Sequence, residues 1–187
     1  MTLQAKLGRI AAGLVLAVTA LAAHSQAQVL NSGARAITLK AVLTDSVTVS
    51  LSGNAVNFVL TPGSASNPGS VGVRATTTWL LKPGVHNLNL YAYFSSSTSA
   101  LSDGAGDNIP SADFQISDNA GPFNALTHTV PFGGANAGLR VSTVRIIGNN
   151  KSGSRTDTMN FNINLSTLPS LPSGTFTGTL TIQAQAL

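Results

Sequence analysis

Met159-Asn160-Phe161-Asn162-Ile163-Asn164-Leu165 alternates apolar and amide side chains without a break. Successive side chains of a strand point to opposite sides of a sheet, so this stretch has one face for a core and one for water. The same period returns near the C-terminus, where Phe176, Leu180, Ile182, Ala184 and Ala186 alternate with Thr175, Thr177, Thr179, Thr181, Gln183 and Gln185. An uninterrupted terminal strand is expected there. Upstream, Val71, Val73, Ala75, Thr77, Trp79 and Leu81 alternate up to Lys82-Pro83-Gly84. Proline presets one backbone angle of a turn and glycine tolerates the other, so a hairpin is expected, with Leu88, Leu90, Ala92 and Phe94 facing the core on the return strand. Trp79 is expected in that core. Shorter pieces with the same period cover residues 37–43, 47–51, 56–60 and 139–147.

Between these pieces lie stretches rich in Gly, Ser, Asn, Asp and Pro, and no helical periodicity separates the strands. Many short strands spaced in this way predict an all-β fold, an antiparallel immunoglobulin-like β-sandwich. All six acids are aspartates and glutamate is absent, a composition that disfavours helices. There is no cysteine, so packing alone must hold the fold.

The first thirty residues read differently. Lys6 and Arg9 precede an apolar run over residues 10–23, and Ser25-Gln26-Ala27 supplies a small-x-small site. This is the pattern of a signal peptide, expected over residues 1–27 with cleavage after Ala27. The run is shorter than the roughly 20 residues needed to cross a bilayer, so membrane contact is expected only through the cleaved leader. Residues 28–187 then form a single β-sandwich domain, placed in the periplasm, in the medium or on the cell surface. Without the leader, eight of the ten Lys and Arg remain against six Asp, a net charge of +2. These cations are scattered, with no cluster to displace counterions from a phosphate backbone, which argues against nucleic acid as a partner.

Chemistry-bearing residues are sparse. Past the leader there are two histidines, His86 and His128, and no Gly-x-Ser-x-Gly elbow. The reading is therefore not an enzyme, with no catalytic, metal or cofactor residue assigned. Asp103-Gly104-Ala105-Gly106-Asp107-Asn108 could curl around calcium, although Asp and Gly also make ordinary turns and the spacing is not that of an EF-hand. Tyr91 and Tyr93 fall on one side of their strand, either as an exposed aromatic face for a carbohydrate or as plain cross-strand packing. Ile37, Leu39, Ala41 and Leu43 alternate close to the new N-terminus. Such a segment serves either as the first strand of its own sandwich or as a strand added to another molecule's sheet edge, where backbone bonds give affinity and alternate side chains fill pockets.

The stretch over residues 38–58, with Val47-Thr48-Val49-Ser50-Leu51-Ser52 and Val56-Asn57-Phe58, and the closing Gly174-Thr175-Phe176-Thr177-Gly178-Thr179-Leu180-Thr181-Ile182 together resemble small exported bacterial sandwiches related to fimbrial subunits and spore-coat U-like proteins. Trp79 and residues 88–94 look like a group of secreted proteins of soil bacteria. The resemblance implies an extracellular structural or adhesive module that associates with itself or with other surface subunits, assembled with a periplasmic chaperone. The alternative is a monomeric secreted module that binds carbohydrate or cell-wall polymer.

Overall fold

The computed structural model describes residues 37–187, and the expected leader lies outside the described residues. Residues 42–187 form one compact unit. Its strands are β1 (Ser46–Leu51), β2 (Asn67–Pro68), β3 (Val73–Leu80), β4 (Asn87–Tyr93), β5 (Leu101–Ser102) and β6 (Asn108–Ile109), then β7 (Phe114–Asp118), β8 (Phe123–Ala125), β9 (Gly138–Arg145), β10 (Ser152–Ile163) and β11 (Thr181–Ala186). One sheet has the order β1-β3-β10-β7-β8, with β2 paired to the end of β10. The other has the order β11-β4-β9, and β5 and β6 form a small ribbon. Every pairing is antiparallel. The fold is an antiparallel β-sandwich.

The alternation read from the sequence sets which side chains meet. Val73, Ala75 and Trp79 of β3 and Met159, Phe161 and Ile163 of β10 turn inward and are buried. Leu88, Leu90 and Ala92 of β4 oppose them from the second sheet. Thr48 and Ser50 of β1, Thr76 and Thr78 of β3, and Ser154 and Thr156 of β10 face outward, and Thr76 and Thr156 share a 2.9 Å hydrogen bond across adjacent strands. Trp79 is buried, and its indole N–H donates to the Asn150 carbonyl at 2.8 Å.

Three expectations need correction. β3 and β4 do not form a hairpin, because they belong to different sheets. Their apolar faces look at each other across the core, so the intervening residues 81–86 arch from one sheet to the other, a separation of about 10 Å. The closing strand is shorter than its pattern: β11 begins only at Thr181, and before it Thr177 makes a single bridge to Ser102. Gly178 sits so close to the Ala100 carbonyl that a Cβ there would collide with it, which holds this stretch against β5 and away from regular pairing. Finally, residues 37–45 form no strand, and the sandwich starts at β1.

Candidate functional site

The two sheets end unevenly. On one flank β1 closes the first sheet and β11 closes the second, and the two edges touch. Beyond Leu51 and before Thr181 the chain leaves the ladders, and there the sandwich opens into a cleft of about 840 Å³ lined by apolar and polar residues together. Its floor is Val73, Met159, Phe161 and Ile163, its walls include Leu51, Val56 and Phe58 on one side and Leu171, Phe176, Leu180 and Ile182 on the other. Phe114 lies beneath, edge-on to Phe94 at 5.1 Å and to Phe58 at 5.8 Å between ring centres. The stretches that form the walls, residues 53–57 and 171–176, carry no strand pairing. A groove with an apolar floor and unladdered walls can accept an extended segment whose alternate side chains point down.

Of the residues singled out in the sequence, Ile37, Leu39 and Leu43 are 85%, 89% and 78% exposed. Ala41 is exposed as well. Alternate residues of an extended chain stand about 6.6–6.8 Å apart on one side. The segment thus offers an apolar row in an accessible state.

Tyr91 and Tyr93 do not make an open face. Tyr91 is 6% exposed, and the reason lies in a distant part of the chain. The strap that follows β8 folds back over the outer side of the second sheet and sets Phe132 against both rings, 6.2 Å from Tyr91 and 5.9 Å from Tyr93. His128 and Gly138 exchange backbone bonds, and Gly134 donates to the Phe94 carbonyl at 2.9 Å, which pins the strap. Gly133 has a φ of 76° and no room for a Cβ beside the Tyr93 ring, so glycine is required at its tip. The phenol groups are also occupied: Asn89 Nδ2 donates to Tyr91 Oη at 3.0 Å, and Tyr93 Oη donates to Gln183 Oε1 at 2.8 Å.

The Asp103 loop is closed by its own carboxylate. Asp103 Oδ1 accepts from the N–H groups of Ala105, Gly106 and Asp107 at 2.8, 3.2 and 3.0 Å, using lone pairs that a cation would need. Among the described residues no three His, Asp, Glu or Cys side chains stand together in a metal-binding group.

One polar constellation was not read from the sequence. On the flank opposite the cleft, Asp157 is 1% exposed and accepts from Arg155 Nε at 2.7 Å, from Ser142 Oγ at 2.8 Å and from Asn119 Nδ2 at 3.1 Å. Ser142 belongs to β9 and Asp157 to β10, so this carboxylate ties one sheet to the other. Asp118 stands beside it, 3.9 Å from the Arg155 guanidinium. Burial raises the Asp118 carboxyl above its ordinary value, the Asp157 charge adds to this, and Arg155 and Asn119 offset part of it. Asp113 is also raised by burial, against the pull of a hydrogen bond from Thr167. The only advance signal was an Asp on the apolar side of an alternating strand. No protein-family model matches the chain, and no curated protein matches it.

Proposed function

We propose that the chain is an exported structural or adhesive subunit, fimbrial-like or surface-coat in kind, that associates by β-strand addition. Ile37, Leu39, Ala41 and Leu43 of one copy lie in the cleft of another. The observation that carries this reading is the pairing of two incomplete features in one molecule: a cleft bounded by the edge strands β1 and β11, and an exposed alternating apolar segment with no strand of its own. Burying Ile37, Leu39 and Leu43 contributes about 1.5–3 kcal/mol each, and backbone pairing along an edge adds direction and affinity. The sequence resemblance to fimbrial and spore-coat U-like proteins points the same way. A periplasmic chaperone that covers the cleft before assembly fits the same chemistry, since an uncovered groove with apolar side chains invites misassociation.

The test uses the exported chain carrying Leu39→Asp and Leu43→Asp, which cannot donate its own segment. A synthetic peptide of residues 28–45 should bind it, and the same peptide carrying Leu39→Asp should bind at least tenfold more weakly, the cost of about 1.4 kcal/mol or more expected for placing a charge in an apolar pocket. Titration calorimetry reads both. Equal binding of the two peptides, or none of either, would sink the proposal.

A further inference from the structure

The first sheet has a second side, turned away from the cleft, and the strand registers order its side chains into rows. Thr48, Thr78 and Ser154 stand side by side on β1, β3 and β10, and Ser50, Thr76 and Thr156 form the next row. Rows lie about 6.6–6.8 Å apart along a strand, and their members about 4.7–4.9 Å apart across strands. One step further along β3 is Arg74, opposite Thr158. Ser52 joins it from just past the end of β1: the Ser52 N–H donates to the Arg74 carbonyl at 2.9 Å, and the Arg74 N–H donates to Ser52 Oγ at 2.9 Å. Ser50, Leu51, Ser52, Arg74, Thr76 and Thr156 line a hollow of about 320 Å³. Of these only Leu51 also lines the cleft.

Arg74 is exposed, and no carboxylate of the chain stands against it. Asp45 pairs with Lys82, and Asp118 and Asp157 pair with Arg155. Asp103 closes its own loop, which also contains Asp107, and Asp113 accepts from Thr167. Those are all six acids of the sequence, and none takes an outward position on β1, β3 or β10. A solvated arginine is ordinary by itself, but this one borders a hollow edged with hydroxyls. We infer that the hollow holds a carboxylate-bearing sugar of an acidic polysaccharide, with the Arg74 guanidinium on the carboxylate and Ser50, Ser52, Thr76 and Thr156 on the sugar hydroxyls. The planar guanidinium fork matches a planar carboxylate with two parallel hydrogen bonds. Serine and threonine hydroxyls both donate and accept, as sugar hydroxyls do, and the bond between Thr76 and Thr156 leaves each of them acceptor capacity. A single cation suits one carboxylate and is too little for a phosphate backbone. No aromatic ring faces outward from these three strands, so a neutral sugar finds nothing to stack on and the charge must anchor the ligand. The row of Thr48, Thr78 and Ser154 lies within reach of a second sugar ring.

The probe is a galacturonate tetramer, titrated by calorimetry into the exported chain at low salt. It should bind, and the same tetramer with its carboxyls reduced to alcohols should bind at least about tenfold more weakly. Arg74→Ala should weaken binding of the acidic tetramer at least about tenfold, and Arg74→Lys about threefold, because lysine keeps the charge and loses the fork. Thr76→Val with Thr156→Val keeps the shape, removes two hydroxyls and should weaken binding about fivefold. Circular dichroism checks each variant, and the comparison of the two tetramers on the unaltered chain stands even if a variant does not fold. No binding of the acidic tetramer, equal binding of the reduced one, or undiminished binding to a folded Arg74→Ala chain overturns the proposal. Sulfate or phosphate binding as tightly as the tetramer also overturns it, since the hollow would then take a bare anion. Peptide binding in the cleft is read separately, so either site can fail while the other stands.

Discussion

The two flanks of the sandwich solve the same problem in opposite ways. Where β10, β7 and β9 meet, Asp157 bonds across the sheets to Ser142 and laterally to Arg155 and Asn119. This flank is closed, and its polar groups are largely satisfied from within the chain. On the β1 and β11 flank a cleft remains above side chains of β3 and β10 that are themselves buried. The difference teaches that the cleft is local: the same strand, β10, is sealed on one side and supplies the cleft floor on the other.

The largest effect expected from breaking this contrast comes from the floor itself. Phe161 is 5% exposed, contacts the Phe114 ring at 5.9 Å and lines the cleft. Phe161→Ala should cost about 3–5 kcal/mol in denaturant unfolding and should also abolish binding of the 28–45 peptide. Retained peptide binding in a folded variant would separate the floor from the binding surface.

Next is the seal. Asp157→Ala leaves the Arg155 guanidinium and the Ser142 hydroxyl without their acceptor and should cost about 3 kcal/mol, with peptide binding unchanged in the fraction that folds. The seal also shows where the sequence stops being legible. The inward alternation of Met159, Phe161 and Ile163 and the position of Trp79 follow from a period of two, because one wet face and one dry face leave a strand no other register. What covers the outer face of the second sheet does not follow, because Phe132 reaches Tyr91 and Tyr93 only after the chain has crossed between sheets. Strands β7 and β8 are short, and Phe114 and Ile116 alone give too little pattern to read. The cleft was half legible: residues 37–43 stand out by alternation, but the groove depends on Gly178 pressing against Ala100 so that the closing strand starts late.

A smaller effect tests whether every inward polar group on the sheets belongs to a seal. Thr77 is 4% exposed, faces inward on β3 between Ala75 and Trp79, and its hydroxyl is buried without a partner. Val has nearly the same shape and no hydroxyl to desolvate. Thr77→Val should raise stability by about 1 kcal/mol, read as a higher urea midpoint at constant slope. Destabilisation would mean that the hydroxyl is bonded and that the seal reaches further toward β1.

The smallest effect depends on pH and concerns Asp118. Its carboxyl is raised first by burial and then by the neighbouring Asp157 charge, while Arg155 and Asn119 pull it back. A folded value above the unfolded one means that the native chain holds this proton more tightly. The charged form is therefore a burden on the native state at neutral pH, relieved as pH falls through the folded value and gone at or below the unfolded value near 3.8. Asp118→Asn removes the burden and leaves the Arg155–Asp157 pair in place. Its melting temperature should exceed that of the parent by a small margin near pH 7, and the margin should close toward about pH 3.5, where the parent carboxyl is also neutral. The partial exposure of Asp118 keeps the margin small, because solvent screens its interactions. A loss of stability at pH 7 would show that the 3.9 Å contact with Arg155 outweighs burial. The closed flank would then be held by an ion triad, with Asp118 a full member, instead of by Asp157 and its three donors.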